Sequence, residues 1–350
     1  MSQRTLSARE LNRALLARQL LLERSTLPLT RALEQVAGLQ TQYAPSAYIG
    51  LWTRLRDFRR AELTEALQAR RAVQATLMRS TIHVVSAADF WLLVAGIRDG
   101  RREWIGRVQA AQLEGIDMNA VAHHVRAILA EKPRRHTDML ELLAAHGYPR
   151  AAWGAAGHWI DLVRVPPSGT WERRRADLYG LADDWLEPPD ASAADGMEHL
   201  VRRYLAAFGP APLTDAANWA GLPVAALRPA VDRLQVRRFR DEHGGELLDL
   251  PGAPLPDPDT PAPVRFLPTW DATLLVHARR SLILPERYRP RVFNTRTPHS
   301  VPTFLVDGAV AGTWRHDQGR VRLEPFERLA PVVRRELEEE AERLAALHAD

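Results

Sequence analysis

Two glutamines, Gln40 and Gln42, flank a single threonine between a helix-like pattern and Pro45. In an extended segment, residues two apart project from the same side of the backbone, so both amide groups would face one space. Glutamine has no useful pKa and is a poor base, so such a pair acts by holding a water, a phosphate or a base edge. By its spacing alone, the pair is more typical of polar turn residues that cap a helix.

A second polar group lies at Arg79, Thr81 and His83. The residue pattern over 73–85 predicts two short strands with a break in the middle. Alternation along a strand would place the three side chains on one face, beside Gln40, where they could bind phosphate. A buried histidine with satisfied hydrogen bonds is the other interpretation of His83.

The segment His316-Asp317-Gln318-Gly319 separates two strand-like runs and ends in glycine, which predicts an exposed hairpin tip. Arginines flank this tip at positions 315, 320 and 322. A basic hairpin of this kind is suited to entering a groove and contacting phosphates, as we expect of Arg315, His316, Asp317, Gln318 and Arg320. A plain surface turn is the alternative.

Further arginines stand at predicted turns. Arg134 and Arg135 come just before Thr137, a predicted helix cap, and Arg174 lies in a run of three arginines after a Pro/Gly-containing turn. Arginine makes bidentate contacts with phosphate and guanine, so these positions are candidate DNA-binding residues.

The composition restricts the chemistry. The chain has 350 residues, a formal net charge of +4 and no cysteine, which excludes disulfides, thiolate catalysis and cysteine-ligated zinc or iron–sulfur clusters. No metal-ligand pattern and no Gly-rich phosphate loop occurs, so we predict no metal and no cofactor. There is no apolar run of about 18 residues and no signal-peptide pattern, so we expect a cytoplasmic protein without a membrane partner.

Hydrophobic periodicity and cap signals predict the elements that position these residues. The predicted helices span 6–24, 28–36, 57–70, 87–97, 118–131, 137–145, 150–162, 224–234 and 329–348. Two short helices are also predicted, one after the Gln40–Tyr43 turn through Leu55 and one from Thr214 that ends at Gly221. The predicted strands beyond 73–85 lie at 236–240, 246–250, 264–268, 273–276, 303–306, 309–315 and 320–325. Ser7 and Glu10 form a capping-box pattern at the first helix, and Ser86 precedes the helix at 87.

Five stretches occur together and in order at 11–22, 38–42, 48–55, 75–85 and 306–315. They read LNRALLARQLLL, GLQTQ, YIGLWTRL, ATLMRSTIHVV and VDGAVAGTWR. In this combination the chain resembles the AlkZ-type DNA glycosylases, a winged-helix family that removes bulky N7-alkylguanine adducts and unhooks interstrand crosslinks made by bacterial genotoxins.

The resemblance implies an activity and a set of residues. Gln40 and Gln42 would carry catalysis, with Thr41 at a position that is more often apolar in the family. The late hairpin would insert into a groove of double-stranded DNA, and the role would be self-resistance in an antibiotic producer. Relatives with Gln-x-Asp differ in substrate range, so Gln42 places this chain with the Gln-x-Gln group. Lys132 is the only lysine, so a strand-cutting Schiff base is improbable and water is the expected nucleophile.

The expected fold is mainly α with small β-hairpins, an α+β architecture of three tandem winged-helix motifs, a β-rich C-terminal unit and a closing helix. The predicted segments are winged-helix modules at 1–115, 116–190 and 195–250, a proline-rich connector at 251–263 and the C-terminal unit at 264–350. A non-catalytic DNA-binding regulator built on the same motifs is the alternative function. Regulators usually dimerise to read two half-sites, whereas three unlike modules favour a monomer that encloses a lesion.

Overall fold

The computed structural model describes residues 4–275, 280–293 and 300–350. Within them the α-helices are α1 (Ala8–Arg18), α2 (Leu29–Gln35), α3 (Pro45–Trp52), α4 (Arg60–Gln68), α5 (Ala87–Val108), α6 (Met118–Glu131), α7 (His136–Ala145), α8 (Arg150–Ala156), α9 (Ala193–Phe208), α10 (Leu213–Ala220), α11 (Val224–Arg233), α12 (Arg289–Val292) and α13 (Pro331–Ala349). The strands are β1 (Thr5–Leu6), β2 (Leu39–Gln40), β3 (Ala72–Thr76), β4 (Ile82–Ser86), β5 (Arg134–Arg135), β6 (Leu162–Arg164), β7 (Leu178–Leu181), β8 (Arg237–Asp241), β9 (Glu246–Asp249), β10 (Arg265–Leu267), β11 (Thr303–Val306), β12 (Ala309–Asp317) and β13 (Arg320–Pro325). The predicted α+β class with small sheets is confirmed.

These strands form three sheets in the described part of the chain. One has the order β2-β4-β3-β6-β7-β5, one has the order β1-β8-β9, and the C-terminal one has the order β10-β11-β12-β13. In the largest sheet β3 pairs with β6, with Gln74 opposite Arg164 and Ala75 opposite Val163. Strands from the first two predicted modules therefore share one sheet, which places the polar turns of both modules on a common framework.

The first helix begins as the sequence predicts and ends earlier. The side chain of Ser7 accepts from the backbone of Glu10, and the Glu10 carboxylate accepts from Ser7 N–H in return, so the capping box is confirmed. The predicted continuation to residue 24 is wrong because Leu20 has a φ of 56° and the N–H groups of Leu21 and Leu22 return to the carbonyl of Leu16. The chain therefore turns back along α1.

The helix that follows Ser86 is longer than predicted. Ser86 caps it as expected, accepting from Asp89 N–H at 3.1 Å, but α5 continues to Val108 through two glycines. Near the predicted end, a Cβ on Gly96 would lie 2.7 Å from the carbonyl oxygen of Gly196, so α5 and α9 cross in direct backbone contact. The added turns make tertiary contacts of their own, since Arg101 donates to the carbonyls of Thr76 and Gly157. The long helix is stabilised by these contacts rather than by its own sequence.

In the second predicted module, α6 has the predicted bounds and two neighbours differ. α7 begins at His136 with Arg135 as its N-cap, so the prediction that Thr137 caps it is wrong. α8 ends at Ala156, and Leu162 begins β6 instead of ending a helix. Residues 162–164 pair on both sides inside the sheet, and this pairing overrides the helical period.

The C-terminal unit is an antiparallel sheet covered by α13. Strands β11 and β13 have the predicted bounds, and β12 extends to Asp317. The predicted strand at 273–276 is wrong over 273–275, which form a turn in which Thr273 bonds to Asp271, and Val276 lies outside the described residues. Phe304, Trp314 and Leu344 of this unit share one hydrophobic core with Tyr48 of α3 and with Trp171. The late hairpin is thereby joined to the segment that carries the glutamines.

Among the described residues, no helix is both long and apolar enough to cross a membrane.

Candidate active site

A tight turn places Gln40 at the edge of the largest sheet. Ala37 and Gly38 have φ values of 60° and 78°, and a Cβ on Gly38 would lie 2.7 Å from a methyl of Val85. Glycine is therefore required where α2 ends and the chain passes over β4. The strand β2 then pairs antiparallel with β4, with Gln40 directly opposite His83.

The two glutamines contact each other. Nε2 of Gln40 donates to Oε1 of Gln42 at 2.7 Å. Gln40 is only 6% exposed, whereas Gln42 is exposed. Gln40 therefore lies below the protein surface and supports Gln42, whose side chain is exposed to solvent.

Arg79 holds the buried glutamine from the other side. Its NH2 donates to Oε1 of Gln40 at 2.5 Å and its NH1 donates to the carbonyl of Trp219 at 2.6 Å. Burial lowers the pKa of Arg79 to about 10, so the guanidinium stays charged at neutral pH. Because a guanidinium has only donors, it fixes the oxygen of Gln40 toward Arg79 and its NH2 toward Gln42.

The turn that presents Arg79 has an unusual backbone. Arg79 lies in a short 3-10 turn, Met78–Ser80, with a φ of 54°, and Gly221 packs directly on it. The prediction that Arg79, Thr81 and His83 alternate along one strand face is therefore wrong: Arg79 and Thr81 both precede β4, and only His83 lies on it. The left-handed conformation is what aims the Arg79 side chain back at Gln40.

Thr81 and His83 face inward. The hydroxyl of Thr81 donates to the carbonyl of Met78 at 3.0 Å, and Nδ1 of His83 lies 3.0 Å from the carbonyl of Thr81. His83 is 2% exposed, and burial together with the Arg79 charge lowers its pKa to about 3. A neutral, buried imidazole therefore lies opposite Gln40 on the neighbouring strand, and it does not reach the protein surface.

Arg174 lies beside the exposed glutamine. Its NH1 donates to the hydroxyl of Tyr43 at 2.8 Å, and its guanidinium lies 5.7 Å from the Tyr43 ring centre and 5.8 Å from that of Trp171. Tyr43 follows Gln42 in the chain and is 39% exposed. The structure thus brings a cation and an open aromatic face next to the glutamine pair.

The two other arginines predicted to bind DNA in this region, Arg134 and Arg135, differ in their contacts. Arg134 turns back to Glu131 at 2.6 Å, whereas Arg135 is exposed and lies 3.5 Å from Asp177. Arg135 shares a surface depression of about 200 Å³ with the three arginines at 173–175. Arg135 and Arg174 therefore belong to one basic surface, and Arg134 is held outside it by its ion pair.

The predicted hairpin is present, and its tip is a two-residue turn. Asp317 pairs with Arg320, and Gln318 and Gly319 between them have φ values of 48° and 75°. Both φ values are positive, as in a type I′ turn that matches strand twist. The carboxylate of Asp317 forms an ion pair with Arg322 at 2.9 Å, so its charge is partly neutralised within the hairpin.

His348 of α13 links the hairpin to the rest of the site. The rings of His316 and His348 stack at 3.9 Å and 5°, and His348 also lies 5.0 Å from Trp171. Arg315 lies on the neighbouring position of β12, 3.5 Å from Glu324 and exposed. A continuous series of contacts therefore runs from the hairpin through Trp171 and Arg174 to the loop at Gln42.

Sequence patterns did not identify two supports of this site. Trp219 supplies the carbonyl that anchors Arg79, although it lies 140 residues away, and His348 connects the hairpin. For Trp219 the predicted helix end at Gly221 was a local signal. Gly221 has a φ of 77° and packs against Arg79, which brings the end of this helix to the site. Among the described residues no group of three His, Cys, Asp or Glu side chains could hold a metal ion.

The sequence model of the family described as "DNA glycosylase AlkZ-like" matches residues 33–347. The chain belongs to the AlkZ-like DNA glycosylase family. Among solved structures, Streptomyces sahachiroi DNA glycosylase AlkZ is similar in fold, with a TM-score of 0.80 and 18% sequence identity over 99% of this chain and 97% of that one. A search of curated protein sequences finds no match.

Membership of the AlkZ-like family makes this chain a DNA glycosylase, a DNA repair enzyme whose substrate is DNA. The matched region contains Gln40, Gln42 and Arg79 together with the hairpin around Gln318. A glycosylase cleaves the bond between base and sugar, so the chemistry expected at this site is substitution at the sugar carbon.

Proposed function

We propose that the enzyme is a monofunctional glycosylase in which Gln42 holds the attacking water and Gln40, oriented by Arg79, holds Gln42. The observation that carries this proposal is the hydrogen-bonded series Arg79–Gln40–Gln42, with links of 2.5 Å and 2.7 Å. One end is a partly buried cation that is anchored on the carbonyl of Trp219, the middle is the buried Gln40, and the other end is the exposed amide of Gln42. Such an arrangement positions a water without deprotonating it.

The series Arg79–Gln40–Gln42 contains no strong base, so it suits a substrate whose base leaves the sugar easily. An N7-alkylated guanine is cationic, so it leaves from the sugar without protonation, and the sugar develops oxocarbenium character. An oriented amide dipole and a nearby phosphate are then sufficient to stabilise this charge and to seat the water. Bulky N7-alkylguanine adducts and interstrand crosslinks are the proposed substrates, and self-resistance to a genotoxin is the proposed role.

Strand cleavage by a Schiff base has little support. Lys132 is the only lysine of the chain, and it is exposed at the C-terminal end of α6. A Schiff base forms only when an amine attacks the sugar carbon. The series Arg79–Gln40–Gln42 offers two amides and a guanidinium, and none of these groups is an amine. We therefore propose water as the nucleophile and an abasic site as the product.

DNA would lie across the basic surface and the hairpin. We propose that Arg135 and Arg174 contact phosphates near the lesion and that Arg315, His316, Gln318 and Arg320 contact a groove. Asp317 would shape the tip through its ion pair with Arg322. We propose that one copy of the chain encloses the lesion.

The test is release of modified base from a duplex with a single N7-alkylguanine, under single-turnover conditions. Gln42→Ala and Gln40→Ala should each lower the rate by about 100-fold, as for the loss of an oriented hydrogen-bond donor, without weakening DNA binding. Gln68→Ala is the matched control because Gln68 is exposed at the end of α4. Alkaline treatment of the product should cut the strand only after base release.

Two outcomes would contradict this proposal. If wild type binds the duplex but releases no base from small or bulky adducts, the site is not catalytic toward N7-alkylguanine. If base release survives in both glutamine variants, the water is held elsewhere.

A further inference from the structure

A second cavity lies behind the Arg79 turn. Its volume is about 250 Å³, and it opens between β3, α5, α8 and the β6–β7 pair, with Arg101, Arg164, His158, Trp153 and Tyr179 among its lining residues. Neither of the two glutamines nor Arg79 lines it. The cavity is therefore separate from the candidate active site.

Two buried arginines line this cavity without a carboxylate partner among the described residues. Arg101 and Arg164 are each 7% exposed. Arg101 donates to the carbonyls of Thr76 and Gly157 at 2.9 Å and 3.2 Å. Arg164 donates to the carbonyl of Ala176 at 3.1 Å and to the hydroxyl of Thr76 at 3.0 Å. All four acceptors are neutral.

The one acidic residue among the described lining residues does not balance these charges. Asp161 pairs with Arg98 at 2.8 Å. His158 and His136 are neutral at physiological pH because burial lowers the pKa of each, that of His158 to about 4. Burial also lowers the pKa of Arg101 to about 10, which still leaves the guanidinium charged. The cavity lining therefore carries two cations that have no ion pair among the described residues. The Asp161 charge acts on Arg101 from a longer distance, and the Arg164 guanidinium lies 4.1 Å from the Tyr179 ring centre.

An unpaired buried charge is costly, and buried charges in proteins are normally paired. Arg101 also has an unsatisfied hydrogen-bond donor, since its Nε is buried and has no partner among the described residues. The rest of the wall is aliphatic and aromatic, and within it the rings of Trp153 and Tyr179 meet edge to face at 5.0 Å. A concave apolar pocket with a few convergent polar groups is the usual form of a small-molecule site.

We propose that this cavity binds a small organic anion whose phosphate or carboxylate group lies between Arg101 and Arg164 and whose planar ring packs against Trp153 and Tyr179. The size supports a compact ligand, because sites for drug-sized molecules start at about 300 Å³. Arginine matches the planar, bidentate geometry of both anionic groups. This site does not depend on base release by the glutamines.

Binding is measured first on the full-length wild-type chain by calorimetry. The probes are guanosine 5′-monophosphate, benzoate, inorganic phosphate and neutral guanosine, so that charge, ring and anion type are varied separately. At least one of the two ring-bearing anions should bind with a Kd of about 1 mM or tighter. Inorganic phosphate should bind more weakly than the better ring-bearing anion, and guanosine should not bind.

The site is assigned by obstructing it. Gly154 lines the cavity from an exposed position on α8, and a Cβ there would meet nothing within 4 Å, so Gly154→Leu should obstruct the cavity and keep α8 intact. Gly106→Leu is the matched control, because Gly106 is also a helical glycine with open space and lies on the exposed side of α5. Only Gly154→Leu should abolish binding.

Arg164→Met tests the charge. Loss of a hydrogen bond to a charged group should weaken binding at least about tenfold. If that variant does not fold, the glycine pair and the comparison of guanosine with its monophosphate still decide the question. The proposal is overturned if no ring-bearing anion binds wild type, if guanosine binds as well as its monophosphate, or if Gly154→Leu binds like wild type.

Discussion

Arg79 donates a hydrogen bond of 2.5 Å to Oε1 of Gln40, although 39 positions separate the two residues. Its other terminal nitrogen is anchored on the carbonyl of Trp219, which belongs to a third part of the chain. A planar fork with both ends occupied holds the amide in one orientation. In the proposed mechanism this partly buried cation acts on the reaction through Gln40, as a positioning residue.

Arg79→Lys should separate this role from DNA binding. A lysine ammonium is a point charge and cannot bridge Gln40 and Trp219 in one plane, so the glutamine pair loses its fixed geometry. We expect the single-turnover rate of base release to fall about 100-fold, as for a misplacement of about 1 Å, with duplex affinity near wild type. Arg56→Lys, at an exposed ion pair with Glu23, is the control. Weakened DNA binding with an unchanged rate would instead identify Arg79 as a phosphate contact.

Gly221→Ala should disturb the same residue from outside the sheet. Its φ of 77° already disfavours a side chain, and the new Cβ would lie 3.0 Å from Cα of Arg79. Gly244→Ala is a matched control, with a φ of 81° and nothing within 4 Å of the added atom. The control should lose about 1 kcal/mol of unfolding free energy and keep its activity, whereas Gly221→Ala should lose more and release base more slowly. The urea midpoint and the single-turnover rate measure the two effects; equal losses in both variants would contradict the packing argument.

Arg174→Ala should weaken DNA binding in a salt-dependent way. Its guanidinium is exposed beside Tyr43 and near the arginines at 173 and 175. Removing one phosphate contact should reduce the slope of log K against log salt by about 1, with little change in the rate at saturating enzyme. Fluorescence anisotropy at several salt concentrations gives the slope, and Arg56→Ala is the comparison. An unchanged slope would remove Arg174 from the DNA surface.

Two buried histidines, His83 and His158, and the half-buried His348 should make the fold sensitive to acid. Burial lowers the pKa of His83 to about 3 and that of His158 and His348 to about 4, below the ordinary value near 6.5 in the unfolded chain. The unfolded state therefore binds more protons below that value, so stability is complete above about pH 6.5 and is lost as pH falls toward 4.

Urea midpoints from about pH 7 to about pH 4.5 test this sign. In His348→Gln the decline should be shallower, because one group no longer takes up a proton on unfolding. His348 is a suitable choice because its ring lies against His316 at the protein surface, away from the sheet interior. A decline as steep as that of wild type would show that His348 contributes nothing to the acid response.

Local signals were sufficient for most elements and for the glutamine pair itself. The Ser7 capping box, the Ser86 cap and the bounds of α6, β11 and β13 follow from residues within a few positions of each other. These features depend on backbone hydrogen bonds and side-chain periodicity, which the sequence states directly. The choice of Gln40 and Gln42 rested on their place in a wider resemblance.

The sequence by itself determined the α+β class, the hairpin at Gln318 and the scarcity of amines that favours water as the nucleophile. Only the tertiary structure decided that Arg79 leaves the strand in a left-handed turn, that Gln40 is buried beneath Gln42, and that His316 stacks on His348. The physical reason is that these relationships join segments tens to hundreds of residues apart. Their geometry is set by core packing and by one glycine contact at Gly221, for which no short-range pattern exists.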